Sequence, residues 1–81
     1  MNIREAYKMS DRVVDLIDRK MKNAKISRYK LAQDSGVTQS SLSYLFDKKR
    51  RPTIAYLFRL TNALNIHLAD IIAQVEKDTQ K

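Results

Sequence analysis

The chain has 81 residues, 43% hydrophobic and 31% charged, which suits one small domain with a modest core. It contains one glycine, one proline and no cysteine. Turn residues this rare argue against a β-rich protein, and the lack of thiols excludes a disulfide framework or a thiolate metal site. No apolar run approaches the roughly 20 residues that span a membrane, and the N-terminus lacks the apolar block of a signal peptide. We therefore expect a small, soluble, intracellular and mostly helical domain.

Positive charge is concentrated in the middle of the chain. Sixteen Lys and Arg residues against nine Asp and Glu residues give a net charge of +7. Residues 28–59 contribute seven basic and two acidic side chains, hence +5, whereas residues 1–27 contribute +3 and residues 60–81 contribute −1. A basic central segment favours a polyanionic partner, either nucleic acid or an anionic membrane, over a surface charged only for solubility.

The first third of the chain predicts one helix. Ser10 and Asp11 offer an N-cap oxygen followed by an acid at the positive end of the helix dipole. An apolar stripe follows at three- and four-residue steps: Val13, Val14, Ile17, Met21 and Ala24. Residues 1–9 either extend this helix or form a flexible segment. The folded domain is expected over residues 10–75, with residues 76–81 as a polar, disordered C-terminal tail.

Two short helices with a tight connection follow. Ser27 can cap a helix over residues 28–34, and Thr38 begins a helix that runs to about residue 46. Gly36, the only glycine of the chain, lies between them, where a helix that ends in a left-handed residue favours glycine. This spacing predicts a helix-turn-helix formed by the second and third helices.

The third helix has one apolar face and one uncharged polar face. A helical wheel places Leu42, Leu45 and Phe46 together on the inner side. Ser40, Ser43 and Tyr44 point away from them, and Gln39 lies on the flank. Uncharged donors and acceptors suit the edges of bases, whereas a face kept only for solubility would more often contain Lys and Glu. We interpret this face as a candidate base-reading surface.

A basic segment, residues 47–52, follows the third helix and ends at Pro52. Thr53 is expected to cap a fourth helix, and His67 lies at the expected N-cap of a fifth. Tyr56 and Phe58 give the fourth helix more apolar surface than one inward stripe needs. They belong either to a broad core face or to a dimer interface that involves helix four or five.

Residues 13–72 resemble the Xre-type helix-turn-helix family of phage Cro and lambda-repressor-like proteins. The small residue, the turn glycine and the two inward hydrophobes of that family fall on Ala32, Gly36, Leu42 and Leu45, and its proline before helix four falls on Pro52. The resemblance implies an all-α, compact five-helix domain that docks its third helix in the DNA major groove. It also implies double-stranded DNA with an inverted-repeat operator as partner, a homodimer, and a cytoplasmic protein of prokaryotic, phage or mobile-element origin.

The resemblance also assigns roles to individual side chains. Its base-reading positions fall on Thr38, Gln39, Ser40, Ser43 and Tyr44. Its phosphate-binding positions fall on Arg28, Lys48, Lys49, Arg50 and Arg51. Ser27 and Thr53 join the phosphate-binding set because they begin helices two and four, whose N-termini attract phosphate.

The chain departs from the family pattern at three positions. Lys48 stands where members often have Gly, so either Asp47 takes the left-handed conformation or the third helix ends differently. Ser35 replaces a usually apolar residue beside the turn, which would thin the core there. Asn65 stands where Gly is common, a mild change because Asn tolerates that conformation.

We therefore predict a sequence-specific DNA-binding transcriptional regulator, most simply a repressor, with no catalytic residues, metal or cofactor. His67 is the only histidine and lacks the ligand cluster of a metal site, and no Gly-rich phosphate loop exists, so an enzyme is not expected. The alternative is an antitoxin-type protein that binds a small protein partner and its own promoter; co-purification with such a partner would favour it. Membrane binding is disfavoured because the first helix lacks a wide apolar face.

Overall fold

The computed structural model describes residues 1–79 of the chain. These residues form five α-helices joined by short connections, and no strand. The helices are α1 (Ile3–Asn23), α2 (Arg28–Ser35), α3 (Gln39–Phe46), α4 (Ile54–Ala63) and α5 (Leu68–Thr79). The predicted all-α, five-helix architecture, with a helix-turn-helix formed by α2 and α3, is confirmed. Over the same residues, every helix is too short or too polar to cross a membrane.

The first helix begins at Ile3, so residues 3–9 extend the helix, the first of the two alternatives for this segment, and Ser10 is not its N-cap. Asn2 is the N-cap, and its side-chain oxygen accepts a hydrogen bond of 2.8 Å from the backbone N–H of Glu5. Asn2 offers the same capping chemistry as Ser10 two turns earlier, and Glu5 supplies the acid in the first turn. Of the predicted apolar stripe, Val13, Val14, Ile17 and Met21 are buried, whereas Ala24 is exposed and is the C-cap.

The last helix is longer than the sequence pattern predicts. α5 continues to Thr79, so residues 76–79 are helical and the expectation of disorder is wrong for them; residues 80 and 81 lie outside the described residues. The Thr79 hydroxyl donates to the Val75 carbonyl at 2.8 Å and accepts from the Arg12 guanidinium at 2.8 Å. These two hydrogen bonds continue the helix and fasten its end to α1.

All five helices contribute to one hydrophobic core. α1 packs on α5 and α3, while α2 packs on α3 and α4. Each helix has at least one side chain that is at most 2% exposed, among them Ile17, Leu31, Leu42, Leu60 and Ile71. Ser35, which precedes the turn at Gly36, is half-buried beside this core. Its hydroxyl is satisfied there, because it donates to the Ala32 carbonyl at 3.3 Å.

Within residues 1–79, four helices end at a left-handed residue. These residues are Lys25 (φ 59), Gly36 (φ 75), Lys48 (φ 64) and Asn65 (φ 57). The expectations for Gly36 and Asn65 are confirmed, but Asp47 is not left-handed (φ −85) and Lys48 takes that conformation itself. The change is stabilised by hydrogen bonds that satisfy the last carbonyls of α3, from the Lys48 amide to Leu45 at 3.1 Å and from the Lys49 amide to Tyr44 at 2.9 Å.

Candidate nucleic-acid interface

The turn at Gly36 fixes how α3 leaves α2. The Gly36 amide donates to the Ala32 carbonyl at 3.0 Å, and the Val37 amide donates to the same carbonyl at 3.1 Å. A Cβ added at Gly36 would find its nearest heavy atom, a guanidinium nitrogen of Arg59, at 3.9 Å, which is an ordinary contact. The left-handed backbone, and not a lack of space, therefore makes glycine the preferred residue here.

α4 supports both the turn and α3 from behind. Arg59, the only charged residue in the α4 sequence IAYLFRLTNA, donates to the Gly36 carbonyl at 3.2 Å. Tyr56 shares a hydrogen bond of 2.8 Å between its hydroxyl and that of Ser41 in α3. Sequence analysis missed both contacts, although a lone arginine in an otherwise uncharged helix is a usable signal for the first.

Four of the five predicted base-reading residues share one surface. Gln39, Ser40, Ser43 and Tyr44 line a single open depression of about 340 Å³ on the outer side of α3. Ser43 is half-buried and the other three are exposed. Within residues 1–79, these four side chains take part in none of the side-chain hydrogen bonds. Their polar groups therefore keep their donors and acceptors available for a ligand.

A left-handed turn between two short packed helices, with a polar outer face on the second, is the geometry of a helix-turn-helix. The family model described as helix-turn-helix, HTH_3, matches residues 17–71, more than half of the chain. The chain belongs to the Xre-type, lambda-repressor-like helix-turn-helix family. Like that family, it is a DNA-binding helix-turn-helix regulator. No curated protein and no solved structure gives a significant match to it.

Three predicted contact residues of this helix-turn-helix domain are N-caps, as their positions in the sequence indicate. The side-chain oxygens of Ser27, Thr38 and Thr53 accept hydrogen bonds of 3.0–3.1 Å from backbone amides in the first turns of α2, α3 and α4. Each hydroxyl keeps its own O–H as a donor. This geometry leaves a donor for DNA on each residue, and the contacts with DNA stay predictions.

Two cations of the basic loop, residues 47–52, contact α1. The Lys48 ammonium forms an ion pair with Asp15 and donates to the Phe46 carbonyl at 3.1 Å. The Arg51 guanidinium lies over the ring of Tyr7, 3.5 Å from its centroid. The helix-turn-helix domain therefore has a loop that is braced by a helix distant in sequence, which no local pattern indicates.

The other two cations of the loop lie beside the polar surface of α3. Lys49 and Arg50 line an open depression of about 390 Å³ together with Tyr44. Because Tyr44 also lines the depression of the four polar residues, the two surfaces are continuous. The structure thus joins four of the five predicted base-reading residues to two of the four predicted loop cations.

Arg28, the remaining predicted phosphate ligand, connects the start of α2 to the end of α3. Its guanidinium lies 5.1 Å from the centroid of the Phe46 ring and 3.8 Å from a carboxylate oxygen of Asp47. The side chain is half-buried. These contacts hold the two helices of the motif together, and the role of Arg28 toward phosphate stays a prediction.

The titratable side chains near this surface form no metal-binding group among the described residues, since no group of three or more His, Asp or Glu side chains within residues 1–79 is placed to hold a metal ion. His67 is exposed, and its carbonyl accepts the amide of Ile71 at 3.3 Å in the first turn of α5. The family is regulatory and typically non-enzymatic.

Proposed function

We propose that the chain is a sequence-specific transcriptional repressor that inserts α3 into the major groove of double-stranded DNA. The continuity of two surfaces supports this function: the uncharged groups of Gln39, Ser40, Ser43 and Tyr44 directly adjoin the cations Lys49 and Arg50. Uncharged donors and acceptors can read base edges, and cations bind phosphates without reading sequence. Repression follows when the bound protein occupies a promoter.

The ends of two helices add to the phosphate contacts in this proposal. α2 and α4 begin at the capping residues Ser27 and Thr53, and the positive end of each helix dipole lies there. Free amides and hydroxyl donors at such helix starts bind phosphate oxygens. Together with the loop cations, they would fix the register of α3 in the groove.

A selection of bound sites from random duplex DNA, followed by a comparison of variants, tests the function. Gln39→Ala should weaken binding to the selected site by about 1–3 kcal/mol and change binding to random duplex little, because it removes a base contact. Lys49→Ala is the matched control and should weaken binding to both duplexes equally. Equal losses from Gln39→Ala on the two duplexes would contradict base reading, and a wild type without sequence preference would contradict sequence-specific repression.

We also infer that the repressor acts as a homodimer through one face of α4. Ile54 and Phe58, one turn apart, are 62% and 57% exposed, whereas Tyr56 turns inward to Ser41. An apolar groove of about 290 Å³ lies beside Ile54, with Met9, Pro52 and Ile72 among its walls. A protruding aromatic side chain and an apolar groove that share one face can pair with the same face of a second copy, and a two-fold symmetric operator requires such a pair.

Sedimentation velocity tests the dimer. Phe58→Ser should convert the protein to a monomer and weaken binding to an inverted repeat, because it removes the apolar contact. Tyr29→Ser, which changes an exposed aromatic residue of α2, is the control and should leave the dimer intact. A wild type that sediments as a monomer at all accessible concentrations would contradict this interface.

A further inference from the structure

α1 contacts the basic loop at two points. Tyr7 stacks under Arg51, and Asp15 pairs with Lys48. The two α1 residues lie about 12 Å apart along the helix axis, at ~1.5 Å of rise per residue. Both precede residue 17, where the match to the family begins. Of the two, only Tyr7 also lies outside residues 13–72, the range that resembles the family.

The two contacts differ in how many hydrogen-bond donors they leave available on each cation. The Lys48 ammonium uses two of its three donors inside the protein, on Asp15 and on the Phe46 carbonyl. The guanidinium carbon of Arg51 lies over the Tyr7 ring, 3.5 Å from its centroid. A separation this short fits stacking of the planar guanidinium on the ring, which leaves its N–H donors along the edges of the guanidinium plane. A stacked arginine can therefore still pair with a phosphate through two parallel hydrogen bonds.

Stacking also restricts the motion of Arg51. The side chain is exposed, and a long exposed arginine otherwise samples many rotamers that must be lost when it binds. A group already held in place loses less entropy on binding than a mobile one. The backbone that carries Tyr7 is fixed in turn, since it lies within a continuous α-helix that begins at Ile3.

We propose that Tyr7 is a positioning residue for DNA binding, which holds the Arg51 guanidinium ready for a phosphate, while Asp15 and Lys48 anchor the other end of the loop. The inference rests on the proposed DNA-binding function and extends the DNA-contacting surface from the helix-turn-helix to α1. It assigns Arg51 to phosphate binding and Lys48 to support of the loop.

A double-mutant cycle on non-specific DNA tests the proposal. The probe is a labelled mixed-sequence duplex of ~20 base pairs, about two helical turns, and binding is measured over a series of salt concentrations for wild type, Tyr7→Ala, Arg51→Ala and the double variant. Tyr7→Ala should weaken binding about two- to fivefold, the range of exposed cation–π contacts. It should leave the salt dependence unchanged, because it removes no cation. Arg51→Ala should lower the slope of log affinity against log salt by roughly 0.9, the value for one phosphate contact.

Coupling between the two residues separates positioning from a general effect on folding. Tyr7→Ala should have no further effect when Arg51 is already alanine, and Tyr7→Phe, which keeps the ring, should bind like wild type. Ile3→Ala, a change one turn earlier at a side chain 66% exposed, is the control for the end of α1 and should also bind like wild type. Thermal unfolding checks that the variants are folded.

The outcomes that overturn the proposal are distinct from a failure of the proposed function. Wild-type affinity for Tyr7→Ala, the same loss from Tyr7→Ala with and without Arg51, or failure of Tyr7→Phe to restore binding would each overturn the positioning role alone. A wild type that does not bind the duplex at any salt concentration would overturn DNA binding and this inference together.

Discussion

At the scale of single residues, the helix ends show how a protein can make tight turns with one glycine. Among residues 1–79, Lys25, Lys48 and Asn65 take the left-handed conformation that glycine adopts most easily. A residue with a Cβ loses ~1–2 kcal/mol in that conformation, and asparagine is the usual exception. The left-handed conformation of the two lysines therefore lowers the free energy of unfolding, and the packing of the core offsets this loss. The one glycine of the chain is at the turn before α3.

Substitutions at Gly36 should reveal this conformational cost directly. Gly36→Ala should lower the free energy of unfolding by about 1–2 kcal/mol, since the backbone has φ +75 while a Cβ has room. Gly36→Asn should cost less and Gly36→Val more, and DNA binding should fall only as far as stability falls. Urea denaturation measures the series. If Asn proved as damaging as Val, lack of space rather than backbone conformation would be the limit.

The opposite change at Lys25 should stabilise the protein. Lys25 is exposed and left-handed (φ 59). Lys25→Gly should raise the free energy of unfolding by about 1 kcal/mol, which corresponds to a rise in Tm of roughly 4–8 °C for a domain of this size. Lys25→Ala is the matched control and should leave Tm nearly unchanged. An equal rise for both variants would show that the lysine charge, and not the backbone, limits stability.

At the scale of helices, the motif was predictable and the outer ends of the bundle were not. α2, the turn and α3 follow from signals within twenty residues of one another: two capping hydroxyls, one glycine and the apolar positions between them. The start of α1 has two good capping residues, Asn2 and Ser10, and a local pattern cannot choose between them. A contact between distant segments, that of Tyr7 with Arg51, favours the earlier start of α1. The Arg12–Thr79 hydrogen bond likewise favours the later end of α5.

A pair of alanine substitutions distinguishes the two possible starts of α1. Asn2→Ala should lower the free energy of unfolding by about 0.5–2 kcal/mol, because it removes the N-cap. Ser10→Ala should be neutral or stabilise by up to about 0.5 kcal/mol, because serine inside a helix is a poorer helix former than alanine. Thermal unfolding followed by circular dichroism measures both. The reverse ranking would mean that the helix starts at Ser10 in solution.

At the scale of the whole molecule, the sequence predicts where positive charge is concentrated but not which cations face outward. Among residues 1–79, four cations form ion pairs: Lys22, Lys30, Lys48 and Arg28. The partners of the first two lie on the same helix, whereas those of Lys48 and Arg28 lie far away in the sequence. Lys49 and Arg50 instead line the surface beside Tyr44. The distinction depends on which acidic side chains the fold brings near each cation, so the composition of the loop could not provide it.

Two adjacent lysines should therefore behave differently. Lys49→Ala should weaken DNA binding and lower the salt slope by roughly 0.9 at unchanged stability, as expected for the loss of one phosphate contact. Lys48→Ala should lower stability by about 0.2–1 kcal/mol, the range for exposed ion pairs, and leave the salt slope near that of wild type. Binding titrations over salt and urea denaturation measure the two effects. Identical behaviour of both variants would contradict the division of the loop into supporting and contacting cations.

The outer surface of α3 has a consequence for how this protein can evolve. Gln39, Ser40, Ser43 and Tyr44 share one depression, and within residues 1–79 their side chains make none of the hydrogen bonds on which the fold depends. Substitutions at exposed positions, here Gln39, Ser40 and Tyr44, usually change stability by no more than about 0.5 kcal/mol. Ser41, which lies among them, is tied to Tyr56 and lacks this freedom. Under the proposed function, mutation can therefore alter the DNA sequence preference step by step while the scaffold persists, so that related proteins with one fold can diverge to separate sets of sites.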